Sequence, residues 1–547
     1  MTDDRASFWK RNRWFTWVAG GLLAVLAVAA GVAAVLAHRA EPFLRARIVG
    51  ELEDHFHAHV ELDSLHFSLA NGLWAEGKGL RIWPPAQVAG VAVPGPGEPL
   101  ISLDEFRFRA PLRYQPGLPI HIPVVELEGL HVTLPPKTHF QHPAAGTKSS
   151  GGGWVRFDVD RFECKHAHLV LGTDKPGKVP LDFAIAHFRL TNVASDAAMG
   201  FNAELTNPRP VGTIRTSGSF GPWQVLDPGE TPITGDYRFD RADLSIFKGI
   251  AGILNSTGSY KGTLRDLSVV GDADVPDFSL SHFGNTLPLH THFNAKVDGT
   301  NGDTWLEPVD ATLGRSHFTA QGQIVRVPLA VPNPGGTPVT GHDIALTVNV
   351  RRARIEDFMK LTSHSPAPLL TGDLTLRTKL HVPPGAPPVH ERISMAGTFV
   401  LDRAQFTSAK IQNRIEELSL RGQGRPGELK TANSAGVQSR MEGSFQLGGG
   451  VITLPDLKYT VPGADIRLKG TYGLEDGALS FNGTAKMEAT VSQMVGGWKG
   501  LLLKPADRLF QKDGAGTEVP IHIEGTREDP KFGIDFEQMK ARTKEAR

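Results

Sequence analysis

Val60-Glu-Leu62-Asp63-Ser64-Leu65-His-Phe67-Ser-Leu69-Ala-Asn71-Gly72-Leu73-Trp-Ala-Glu-Gly77-Lys-Gly79-Leu80-Arg-Ile82 decides how this chain is read. Val60 and Leu62 alternate with polar residues. After a shift at Asp63-Ser64, Leu65, Phe67 and Leu69 resume the alternation. A period of two marks a strand with one apolar face, and the shift marks a bulge or bend. Asn71-Gly72 reads as a hairpin turn, with Leu80 and Ile82 on the returning strand.

Upstream the period changes. Leu44, Ile48, Leu52 and Phe56 recur every four residues, one stripe of a helix running from Pro42 to about His57. Earlier still, Phe15 to Ala37 carries no charge. A helix of that length rises ~35 Å, enough for a bilayer core of roughly 30 Å. Trp14 and Trp17 stand at its entrance, and Leu22, Leu23, Val25, Leu26, Val32 and Leu36 supply its apolar surface. Lys10, Arg11 and Arg13 precede it and Arg39, Arg45 and Arg47 follow, so the charge bias is weak. A long following domain translocates largely regardless of charge, which places the N-terminus inside. The alternative is a cleaved leader ending at Val35-Leu36-Ala37. Leader cores run roughly 7–15 residues, shorter than this stretch.

Downstream, short alternating runs continue. They include Ile101–Phe108, Val125–Leu134, Val155–Val159, Leu169–Leu171 and Leu181–Ile185, then Thr398–Leu401, Ser444–Leu447, Ile466–Leu468, Leu479–Phe481 and Phe532–Phe536. Pro/Gly-rich stretches at Pro84–Pro99, Pro135–Gly153, Val327–Thr340 and Val382–Val389 read as loops. Met494–Phe510 is an apolar helix candidate for a core or a membrane surface. The tail from Glu537 to Arg547 is charged. A loose internal repeat begins at Arg241-Ala-Asp243-Leu244, recurs at Arg354-Ile355-Glu-Asp357-Phe358, and recurs again from Val491. Each copy has a strand, a short apolar helix and a Gly-bounded strand, which hints at an extended architecture.

Composition bounds the function. With 547 residues the chain exceeds one ordinary domain. Lys+Arg and Asp+Glu are both 58, and the absence of a basic excess argues against nucleic acid. Cys164 is the one cysteine, so an internal disulfide is excluded. Gly 60 and Pro 39 suit many short strands joined by turns. His55, His57 and His59 could share the face of an extended segment and bind a metal, but their spacing matches no metal motif, and His290 and His292 are weaker still. Cys164 lies two residues from His166, and reads as a packed thiol more readily than as a nucleophile. No nucleotide, zinc-protease or nucleophile-elbow motif is present, so no catalytic residue, metal or cofactor is assigned.

The order of apolar span, helix Phe43–Phe56 and the Val60–Ile82 run resembles the chorein-like start of the AsmA-like family of envelope proteins. Gly397-Thr-Phe399 with Gln405-Phe406-Thr407, Ile415–Gly422, and Val519-Pro-Ile521 through Asp529-Pro530-Lys-Phe532 resemble its later part. The resemblance implies a mainly β fold: one transmembrane helix, then a long curved antiparallel sheet forming an apolar groove, with a few short helices. It divides the chain into a cytoplasmic N-terminus (1–14), the span (15–37), an N-terminal AsmA-like β domain (38–240), C-terminal β repeats (241–536) and the tail (537–547). It implies a bacterial inner-membrane protein with a periplasmic body. Such a body would assist phospholipid movement between inner and outer membranes without being an enzyme. Phe106, Phe108, Phe157, Phe183 and Phe188 are the expected groove lining. Membrane phospholipids, and other envelope proteins, are the expected partners. The alternative function is a scaffold for outer-membrane protein assembly, holding polypeptide at a sheet edge.

Overall fold

The computed structural model describes residues 59–68, 73–83, 99–110, 120–134, 157–171, 181–193, 197–495 with short gaps (the longest 329–339) and 516–534, with isolated positions at 42–53, 504 and 507. These residues are mainly β, with 25 strands and few helices. The expected span Phe15–Ala37 lies outside them. Among the described residues no helix is long and apolar enough to cross a membrane. The helix expected over 42–57 is helical at positions 42, 45–46, 48–50 and 52–53. Arg45 Nε donates to Leu62 O at 2.5 Å and Glu53 accepts from Val60 N, which ties this segment to the first strand.

The chain divides into two compact units, Met1–Pro208 with Ile214–Leu226, and Arg209–Thr213 with Asp227–Arg547. The first contains β1 (Val60–Ser68), β2 (Leu73–Ile82), β3 (Ile101–Ala110), β4 (Ile120–Ile122), β5 (Val125–Leu134), β6 (Phe157–Leu171), β7 (Leu181–Val193), β8 (Met199–Pro208) and most of β9 (Val211–Phe220). The quoted hairpin forms as read, with Val60 opposite Ile82 and Ser68 opposite Trp74. The shift at Asp63 is not an added residue. Leu62 faces Leu80 and Ser64 faces Lys78, so both strands step over the Asp63–Gly79 pair together. Gly79 takes a φ of 68°, and a Cβ there would collide with the Asp63 carboxylate. The same device recurs at Asp104 opposite Gly129, with a φ of 69°.

Two expectations need correction in this unit. The sheet is not wholly antiparallel, because β5 and β4 both run parallel to β6. A parallel pair needs a crossover of about a dozen residues or more, and the link from Pro135 to Arg156 is long enough. Val155–Val159 and Leu169–Leu171 are not separate strands, since Phe157–Leu171 is continuous. Left-handed His166, with a φ of 52°, resets the alternation, so Cys164 and Ala167 are both buried.

The second unit is an antiparallel ladder. It opens with β10 (Pro232–Asp243), β11 (Ile250–Ala251), β12 (Ile253–Thr263), β13 (Leu267–Leu280), β14 (Thr286–Asp298) and β15 (Asp303–Leu313). It continues through β16 (Ser316–Pro328), β17 (Thr340–Arg354), β18 (Leu370–Val382), β19 (Ser394–Phe406) and β20 (Ser439–Gly448). It ends with β21 (Val451–Val461), β22 (Ala464–Gly473), β23 (Ala478–Met487), β24 (Thr517–Thr526) and β25 (Pro530–Ile534). From β12 onward each strand pairs with the next.

The two margins of this ladder differ. At the first margin β17 leads into α1 (Ile355–Leu361), β19 into α3 (Ala409–Gly422) and β23 into α4 (Val491–Val495), while β10 leads into a 3-10 turn at Leu244–Ile246. The second margin holds turns such as Gly449-Gly450, 474–477 and 527–529, with α2 (Val389–Arg392) in the β18–β19 link. Three of the helix-bearing links begin alike, at Asp240-Arg241-Ala242, Arg351-Arg352-Ala353 and Asp402-Arg403-Ala404. Each arginine is left-handed, with φ of 52–54°, and sits in a bulge. Each alanine is 0% exposed. The bulge bends the strand end, and only a small side chain fits beneath the segment that follows. The Arg-Ala pair thus anchors three of these links and adds 402–404 to the repeat, while at Val491 the strand–helix–strand order recurs without it.

Candidate apolar binding face

Alternation places apolar side chains on one face of each unit. In the first unit Phe106 faces Gly77 and Leu127, Leu127 faces Cys164, and Cys164 faces Phe188. Phe183 faces Leu169, which faces Val132. Phe108 packs on a small buried cluster of Ala110, Ile122 and Val125. Phe106, Phe108, Phe183 and Phe188 are half-buried. Phe157 begins β6 opposite Ile120, and only its backbone position is described. The span residues Trp14, Trp17, Leu22, Leu23, Val25, Leu26, Val32 and Leu36 lie outside the described residues.

The larger face belongs to the second unit, and the five phenylalanines above include none of it. One row runs across Val350, Leu376, Phe399, Gly443, Leu457 and Leu468 on consecutive strands from β17 to β22. Rings repeatedly lie opposite glycines: Phe293 and Gly271, Phe399 and Gly443, Phe445 and Gly397, Phe481 and Gly470. At Gly470 an added Cβ would lie 2.6 Å from Phe481 Cδ1. The ring thus covers its neighbour's bare backbone and stays low on the sheet. This Gly-aromatic pairing, with the Arg-Ala bulges, is the sequence signal that would have located the face.

Burial grades along β17, β19, β21 and β22, but not along β18, where Thr378 and Val382 stay buried toward the second margin. At the first margin Leu374, Leu401 and Ala404 form a core with Phe358 of α1. Ile411, Ile415 and Leu418 of α3 lie on Tyr459, Ala464 and Ile466. Farther down the same strands Leu346, Leu380, Met395, Phe445, Leu447 and Tyr472 are only half-buried. The helices are held over this margin by polar contacts to its turns. Asp357 Oδ2 accepts from Arg315 N at 3.0 Å and Ser316 Oγ at 2.8 Å. Asn285 Nδ2 donates to Lys360 O, and Ser419 Oγ donates to Pro462 O at 2.8 Å. Arg403 and Arg354 beside Asp373 hold its carboxyl below the usual range.

The opposite face is polar and paired across strands. His290 Nδ1 lies 2.6 Å from Asp274 and His292 Nδ1 lies 2.8 Å from Asp272. Lys78 beside Glu76 lowers that carboxyl. Among the described residues no three His, Cys, Asp or Glu side chains are placed to hold a metal ion. His55 and His57 lie outside the described residues, and His59 pairs with Glu53 and Glu61. Cys164 is buried on the apolar side, and burial pushes its thiol up. His166 instead meets Glu128 at 2.5 Å, so the cysteine and this histidine form no dyad.

No family model, curated protein or solved structure matches this chain.

Proposed function

We propose that this chain is an inner-membrane-anchored periplasmic protein of the AsmA-like kind that shields phospholipid acyl chains as they pass between membranes. One observation carries the reading: the apolar face of the second unit continues across strand after strand while much of it remains half-exposed. An apolar face of that extent left only partly buried is unusual unless something apolar occupies it. Each CH₂ withdrawn from water contributes about 0.8 kcal/mol, so one acyl chain seated along the strands gains on the order of 10 kcal/mol. The polar face, laced with cross-strand ion pairs, suits contact with water. The uncharged Phe15–Ala37 stretch supplies the anchor.

Benzoyl-phenylalanine placed at Phe399 or Phe445 in the full chain, expressed in a Gram-negative envelope and irradiated, should yield phospholipid adducts. The same probe at Thr398, which points to the polar face, should yield none. Polypeptide adducts at Phe399 without lipid would move the assignment to an assembly scaffold. Equal lipid labelling at Thr398 and Phe399 would remove the face as the carrier.

A further inference from the structure

Two contacts in the second unit join margins that ordinary sheet pairing keeps apart. Lys410 opens α3, just past the end of β19 at the first margin. Its Nζ lies 3.2 Å from Asp529 Oδ1. Asp529 belongs to the turn between β24 and β25, at the second margin and five strands farther along. Gly249 follows β10 at the first margin, and a Cβ there would sit 3.5 Å from Val389 Cβ. Val389 opens α2, at the second margin in the β18–β19 link. The ladder therefore turns on itself until its margins touch. α3 lies on the apolar face and also makes the Lys410 contact, so the enclosed face is the apolar one.

The two kinds of bond in this enclosure differ in strength. Strand pairing is continuous and cooperative. The closure at α3 is an ion pair whose side chains are 71% and 67% exposed. Such pairs are weak and screened by salt. A wall that strong with a closure that weak opens first at the closure.

Resting on the lipid-shielding reading above, we propose that the seam between α3 and the β24–β25 turn is a lateral gate. Opening there lets an acyl chain enter the apolar face sideways, and closure covers it without the chain having to thread from one end.

The test uses the full chain in phospholipid nanodiscs, with Lys410→Cys and Asp529→Cys joined by a reducible bis-methanethiosulfonate bridge. Cys164 is buried, and each single-cysteine variant is treated in parallel. Uptake of a fluorescent phosphatidylethanolamine from vesicles is followed before and after reduction. A gate predicts uptake slowed by at least an order of magnitude when bridged and restored on reduction. Lys410→Glu should speed uptake about two- to five-fold, the scale of one surface ion pair, and adding Asp529→Lys should reverse that gain. Lipid uptake that is equal in bridged and reduced protein overturns the gate and leaves the lipid-shielding reading standing. No uptake in any state, with the strand spectrum intact, overturns the lipid-shielding reading and the gate with it.

Discussion

Within the second unit, the two ends of the same apolar face are built differently. Near the first margin, helices α1 and α3 cover Leu374, Leu401, Ala404, Tyr459 and Ile466, and these residues are buried. Toward the second margin the same strands carry Leu346, Met395, Phe445 and Tyr472, and nothing among the described residues covers them to the same depth. Residue type does not separate the ends, since both are aliphatic and aromatic. The difference is the cover: helices pack over one end and leave the other only partly buried.

The sharpest way to break this comparison is truncation along one strand. Leu401→Ala should cost about 2–5 kcal/mol, and Phe399→Ala, two residues toward the open end, clearly less. Urea denaturation midpoints of the two variants decide it. Equal losses would mean that the open end is as firmly packed as the covered one.

Tyr459 sharpens the comparison through pH. Burial pushes its phenol up to about 12. Its hydroxyl has no hydrogen-bond partner of good geometry among the described residues, and Ser439 Oγ donates instead to Ala404 O. In the unfolded chain the phenol ionises near pH ~10. The raised folded value means stability is complete below that pH and declines as pH rises toward the folded value. Tyr459→Phe should abolish this alkaline decline, of order 2 kcal/mol, and leave neutral-pH stability unchanged or slightly raised. Denaturation across that alkaline range measures it, and an unaltered decline would count against a buried phenol at this end.

The smallest effect is at the bulges. Arg352 is exposed and left-handed at the head of α1. Glycine bears that conformation without strain, so Arg352→Gly should stabilise by up to about 1 kcal/mol. A thermal scan that falls instead would show the arginine holding the bulge by contacts of its own.

Much of the fold was legible because alternation is a local signal. Val60–Ile82 announced its hairpin, and the runs at 101–108 and 125–134 announced their strands. Strand direction is not local: nothing in Val125–Leu134 distinguishes a parallel partner from an antiparallel one, and β5–β6 was missed for that reason. Left-handed His166 broke the alternation in the middle of β6 and made one strand look like two. The short apolar helices make the repeat look loose, whereas its most constant part is the Arg-Ala bulge. Phenylalanines in the first unit are legible as apolar bulk on alternating positions. The face of the second unit is harder to read because its glycines, such as Gly397 and Gly443, look like breaks until they are paired with the rings opposite.

The strand order of the second unit has a consequence for how the molecule comes into being. Since each strand from β12 to β25 pairs with its sequence neighbours, strand pairing reaches only a short way along the chain. Structure can then grow as a zipper, each hairpin templating the next, with little loop entropy to overcome at any step. The same economy makes length a free variable in evolution: a hairpin added or removed between two Arg-Ala bulges would leave the ladder paired on both sides.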